Sequence, residues 1–186
     1  MYNTPNFKVT RSGAHPIFSG KLTAPSTSPV LSGTPVIVGG TGTASGLHDD
    51  ATIFSIPDGV EGRLLFLKRK VLGTGDTEIP LTNLVWDNEP VVPVLSGTYV
   101  DAVHVEEIEV EGDDYIFTTA NDGQEITGST AAGTRLTLKE GKWAVIDTVA
   151  SQAVHGRLIK QLTPIDSGTI RIAIEVFSEG RFDKVV

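Results

Sequence analysis

The sequence predicts an all-β protein, a β-barrel or sandwich-like body carrying an extended N-terminal arm. Three observations point there. Apolar residues after residue 34 recur at the two-residue period of half-buried strands. Twenty glycines and ten prolines punctuate the 186 residues at short intervals. Only one stretch, Asp147 to Leu162, offers a helical alternative.

Residues 1–33 read as the arm. Pro5, Pro16, Pro25 and Pro29 remove backbone donors and interrupt both helix and central strand. The arm is not purely polar, because Tyr2, Phe7, Val9, Ile17, Phe18 and Leu22 are spaced like anchors along an extended chain. A free tail has no use for such residues, whereas an arm laid over a neighbour, or folded back on its own body, buries them.

The body, 34–186, reads as strand after strand, about ten in all. Gly62 to Leu72 is a long strand whose Leu64-Leu65-Phe66-Leu67 start is buried on both faces. Val103 and Val105 share a face, but the next apolar pair is Ile108 and Val110. That slip of phase at Glu106-Glu107 marks a β-bulge. Leu136 and Leu138 alternate, then Trp143 and Val145 after the turn Glu140-Gly141. Asp58-Gly59 and Asn121-Asp122-Gly123 are further turns. In the helical alternative Asp147 caps a face of Ala150, Ala153, Val154 and Leu158, but Gly156 costs about 1 kcal/mol relative to alanine there. We therefore expect at most a helical turn near 148–153, followed by a strand over Val154–Leu162. Thr169 to Val176 alternates most clearly, with Ile170, Ile172, Ile174 and Val176 on one face and Arg171 and Glu175 on the other.

An internal echo suggests two β modules, 34–72 and 131–186, with 73–130 as an insertion or bridging subdomain. Gly33-Thr34-Pro35-Val36-Ile37-Val38 resembles Gly133-Thr134-Arg135-Leu136-Thr137-Leu138, and Gly62-Arg63-Leu64-Leu65 resembles Gly156-Arg157-Leu158-Ile159. Chance similarity among glycine-threonine-apolar strands is the alternative.

Composition narrows the function classes. With no cysteine there are no disulfides, thiolate metal sites or cysteine nucleophiles. No apolar run approaches the roughly 20 residues of a membrane helix, and Met1 to Pro5 shows no signal-peptide start. Residues 1–48 hold Lys8, Arg11 and Lys21 and no acid, while the rest sets 12 basic residues against all 23 acidic ones, a net −11. Nine carboxylates fall between Asp101 and Glu125 without a Lys or Arg. Such a body is repelled by phosphate backbones and anionic bilayers, so neither nucleic acid nor membrane is an expected partner. A solvated acidic surface is the plain reading.

Candidate chemistry is sparse. The strand Pro35–Val38 runs into a glycine-rich loop, Gly39 to Gly46, but the helix a dinucleotide would need does not follow, and no Gly-Lys-Ser/Thr ending makes it a P-loop. His48-Asp49-Asp50 offers adjacent ligands without distant partners. Asp113-Asp114 with Asn121-Asp122-Gly123 and Glu125 suggests calcium, but fails the EF-hand register. A calcium site near Asp113 or Asp122 outside that motif stays open. His104 and His155 read as surface histidines, and no Gly-x-Ser-x-Gly elbow presents a serine. His15 completes the four histidines. Trp86, Trp143, Tyr99 and Tyr115 default to the core rather than a sugar site. No catalytic residue, cofactor or metal ligand is assigned.

The order of segments over 131–177 resembles the capsid decoration (cement) proteins of tailed bacteriophages. It runs Ala131-Ala132-Gly133-Thr134-Arg135-Leu136-Thr137-Leu138, then Gly141-Lys142-Trp143-Ala144-Val145, the link Val149-Ala150-Ser151-Gln152-Ala153, then Val154-His155-Gly156-Arg157-Leu158, Gly168 and a last strand to Phe177. The proline-rich arm fits loosely, and 73–130 has no counterpart. The resemblance implies a non-catalytic virion protein on the outer capsid surface, commonly a homotrimer, bridging major capsid protein subunits. It implies that the arm binds the shell, through Tyr2, Phe7, Lys8, Arg11, Ile17, Phe18 and Leu22, so that deleting 2–22 would spare the body. Rival readings are another virion component (tail, fibre base or baseplate) and a sugar-binding module or enzyme built around His48, Asp49, Asp50 and His104.

Overall fold

The structure is a computed structural model and describes residues 6–12, 18–23, 33–38, 53–71, 99–148 and 151–181. Eleven strands are present among them, and no helix. In chain order these are β1 (Phe7–Ser12), β2 (Phe18–Thr23), β3 (Pro35–Val38), β4 (Ile53–Ser55), β5 (Gly62–Val71), β6 (Tyr99–Val103), β7 (Val105–Glu111), β8 (Arg135–Lys139), β9 (Lys142–Val145), β10 (Val154–Leu162) and β11 (Arg171–Arg181). The all-β expectation holds, down to the strand over Val154–Leu162.

Five of the strands close on themselves. β3 pairs with β4, β4 with β2 in parallel, β2 with β6, β6 with β5, and β5 returns to β3. Closure removes every sheet edge from this part of the molecule. The barrel is filled by Leu22, Val36, Phe54, Leu65, Leu67, Val100 and Ala102. Each strand contributes at least one of these side chains. Phe18, Val38 and Ile56 pack against the plug.

The other strands form an antiparallel sheet in the order β1-β7-β11-β10-β8-β9. Its inner face, from Phe7 through Ile108, Leu138, Leu158 and Ile174, packs against the outer wall of the barrel at Ile37, Leu64, Phe66 and Val103. β5 therefore serves both cores. Leu64 and Phe66 point to the sheet and Leu65 and Leu67 into the barrel, and all four are fully buried. The continuous apolar start of this strand is the sequence mark of burial on two faces. At its first residues β5 also pairs with β11, through Arg63 and Gly62 opposite Glu179 and Gly180, which stitches barrel to sheet.

The described part of the N-terminal arm is extended, but it is not separate from the body. β1 is a strand of the sheet and β2 a stave of the barrel. Nor is the span after residue 98 an insertion. β6 closes the barrel, and β7 lies between β1 and β11. Residues 73–98 lie outside the described residues. The expected bulge is found. Between Val9/Ile108 and Ser12/Val105, β1 skips Thr10 and β7 skips Glu106, so two irregularities offset each other. His104 marks the point where the chain leaves the barrel for the sheet.

The internal echo is half real. Gly33 and Gly133 share the left-handed conformation, φ 86° and 87°. Gly33 N–H donates to the Leu67 carbonyl while Leu67 N–H donates to Thr34, and Gly133 N–H donates to the Leu158 carbonyl while Leu158 N–H donates to Thr134. The residue facing the first Gly-Thr is thus Leu67, not the Leu64 that the sequence match aligned with Leu158. The second half of the echo is out of register by three residues.

Candidate functional site

Of the arm residues singled out in the sequence, Tyr2 and Ile17 lie outside the described residues. Phe7 is 3% exposed. Its ring lies 5.9 Å from that of Phe66 and 5.6 Å from that of Tyr115, and against Gly33, where a Cβ would sit 2.6 Å from it. Leu22 is fully buried in the barrel. These two spend their apolar surface inside the chain and have none left for a partner. Deleting 2–22 would remove two strands and part of both cores, so the expectation that the body survives this deletion does not hold.

Phe18 is half-buried at the barrel plug, with the Arg63 guanidinium 4.3 Å above its ring. Lys8 and Arg11 are exposed on β1, Lys8 by alternation with Phe7 and Val9, which face the core, and Arg11 because the skip at Thr10 shifts the phase of the strand. Arg11 Nε lies 2.8 Å from Glu106, with both side chains largely in water, and Thr10 donates to Glu107 at 3.0 Å. The first pair contributes about 0–1 kcal/mol. It leaves the basic face of β1 available to another surface.

The acidic stretch does not converge. Glu109 takes Arg171 at 2.6 Å, Asp113 accepts from Thr118 at 2.8 Å, and Asp122 pairs with Lys139, whose Nζ also lies 4.4 Å over the Phe117 ring. Glu111 is 1% exposed and is spent on structure. Its Oε1 accepts from Ile165 N–H and Asp166 N–H at 2.8 Å and from the Thr169 hydroxyl at 2.5 Å, clamping the β10–β11 loop. Among the described residues no group of three or more His, Asp or Glu is placed to hold a metal ion. His15, His48, Asp49, Asp50 and Trp86, with the glycine-rich loop at 39–46, lie outside them. Trp143 is a core residue stacked 6.5 Å from Phe66, and Tyr115 is buried beside Phe7. Burial, and then the charge of Asp114, holds the Tyr115 hydroxyl well above the usual phenol range. Tyr99 is in β6 and His104 is half-buried between β6 and β7.

His155 corrects its surface reading. It is fully buried, with Nε2 2.9 Å from the Val60 carbonyl and Nδ1 3.4 Å from Thr137 Oγ1. Burial lowers its pKa to about 4, against the opposing pull of hydrogen bonds to the backbone of Val60 and Ala153. Alternation hides this residue from a sequence reading, because Val154, His155 and Gly156 are all buried and the ring is met by a segment distant in sequence, at the Val60 carbonyl.

Among the described residues the hydroxyl and imidazole that meet, Thr137 and His155, are both fully buried, and the candidate residues left toward solvent are the basic side of β1 and the barrel end at Phe18 and Arg63. Compared with protein-family models, curated proteins and solved structures, the chain matches none.

Proposed function

We propose that the chain is a structural virion protein that binds the outer surface of a phage capsid and stabilises it by bridging major capsid protein subunits, as a homotrimer. The observation that carries this reading is the run from residue 131. The hairpin β8–β9, a link, the glycine-containing β10 and the alternating β11 follow in the order that the resemblance to cement proteins implies. Two further features support it. Apolar residues fill two joined cores, as suits a shell component that resists force. The charge is partitioned along the chain, with an acid-free first 48 residues and an acidic remainder, which concentrates in the N-terminal region the basic groups that would meet a shell.

In this reading Phe7 and Leu22 fix β1 and β2 in place, and contact with the shell falls to Lys8 and Arg11, with Tyr2, Ile17 and Phe18 as apolar anchors. Co-sedimentation with mature capsids tests it. Lys8→Ser with Arg11→Ser should weaken attachment about fivefold at low salt and little at high salt, because solvated ion pairs contribute about 0–1 kcal/mol. Removing residues 2–5 should cost more, since burying a side chain such as Tyr2 is worth roughly 1.5–3 kcal/mol. Full-strength attachment of both variants would move the contact to another surface. Failure of the unaltered protein to sediment with any capsid would contradict the reading.

A further inference from the structure

The β4–β5 connection, residues 56–61, leaves the barrel and crosses the outer face of the sheet at its β8-β9-β10 end. Backbone and side-chain bonds hold it there. Gly59 N–H donates to the Leu138 carbonyl at 2.7 Å, Gly141 N–H to Pro57 and Ala153 N–H to Gly59, both at 2.9 Å, and Asp58 Oδ1 accepts from Glu140 N–H at 3.3 Å. Beneath the crossing lies the imidazole of His155, donating from Nε2 to the Val60 carbonyl. Val60 itself is 51% exposed, so the segment bonded to that buried ring is itself in contact with solvent.

We propose that residues 56–61 form a strap latched by the neutral ring of His155, and that acidification unlatches it while both cores stay folded. A charged imidazolium in this site would be fully buried. Its partners are a hydroxyl and backbone groups, none of them anionic. The charged residues of the packed elements include Asp58 and Glu61 of the strap, Arg135 and Lys139 flanking Thr137 on β8, Asp147 before the link, Arg157 and Lys160 on β10, and Glu175 of β11, which pairs with Arg157, while β11 also sets Arg181 opposite Val154. Asp58 accepts from Glu140 N–H and Arg157 donates to Glu175, while the ring bonds to Thr137 and Val60. A buried charge without a counter-ion is expelled toward water, and the way out that breaks fewest bonds is through the strap rather than through β8 or β10.

The sign follows from linkage. The latched ring has its pKa lowered to about 4, while a solvated histidine titrates near 6.5. The unlatched form therefore binds the extra proton. Latching is at full strength above about pH 6.5 and is lost as the pH falls from there toward 4.

Hydrogen exchange on the full chain, corrected for the intrinsic pH dependence of the amide, tests this. Between pH 7 and pH 4.5 the opening of Gly59, Gly141 and Ala153 should rise roughly fiftyfold, with the β7–β11 amides unmoved. His155→Gln, which retains a donor for Val60 but does not titrate, should abolish that rise. So that the idea does not depend on this variant folding, NMR titration of the unaltered His155 ring should share its midpoint with the shifts of the strap amides. Strap protection unchanged at pH 4.5, a rise that persists in His155→Gln, a ring that titrates without the strap, or abolition of the rise by Asp58→Asn alone would each overturn the proposal.

Discussion

Phe7 shows how one residue ties the N-terminal region to the body. Its ring fills a hole that exists because Gly33 has no side chain, and truncation to alanine leaves that hole empty beside Phe66 and Tyr115. Phe7→Ala should cost about 3–5 kcal/mol, read from denaturant midpoints at constant slope. Glu111 is the polar counterpart. Glu111→Ala deprives two backbone donors and the Thr169 hydroxyl of their acceptor and should lower stability by about 1–3 kcal/mol, with the loss of exchange protection concentrated at 165–169. Gly156 is governed by space. A Cβ there would meet the Glu175 carbonyl at 2.6 Å and the Trp143 ring at 3.0 Å, so Gly156→Ala should destabilise by about 1–3 kcal/mol by forcing β10 from β11. A Gly156→Ala protein as stable as the original would show that these strands yield more easily than their packing implies.

At the scale of elements, what the sequence made legible was whatever rested on local grammar. The hairpin at Glu140-Gly141 was readable because a two-residue loop of this twist requires positive φ at both positions, found here at 50° and 79°. The alternation of β11 and the double burial of β5 were readable because strand period reports burial directly. The bulge near Glu106 was readable as a break in that period. What stayed hidden was pairing between distant segments. Nothing local says that Phe7–Ser12 lies beside Val105–Glu111, or that Phe18–Thr23 runs parallel to Ile53–Ser55. Prolines at 5, 16, 25 and 29 suggested an arm, yet they fall outside both strands. For the same reason His155 and Glu111, each covered by a segment distant in sequence, were not visible as buried groups. The pairing has a direct consequence. Brief trypsin treatment of the native protein should leave the bonds after Lys8, Arg11 and Lys21 intact, since their backbones sit in paired strands. Rapid cutting at all three would show that β1 and β2 detach readily.

For the molecule as a whole, β5 makes the barrel and the sheet one cooperative structure, because its two faces belong to different cores. Buried tryptophan and barrel residues should therefore report a single unfolding transition. The same architecture bears on function. A body that buries most of its described large apolar residues in two cores meets a partner through what is left outside, and on β1 that includes Lys8 and Arg11. The central claim is that this outside surface meets a viral shell. It is tested most directly by electron cryomicroscopy of the particle with which the protein copurifies. The account predicts density for the barrel-and-sheet body on the outside of an icosahedral shell, in threefold clusters that touch neighbouring capsid subunits. Density confined to a tail or baseplate, or closed rings of the protein with no shell, would contradict it.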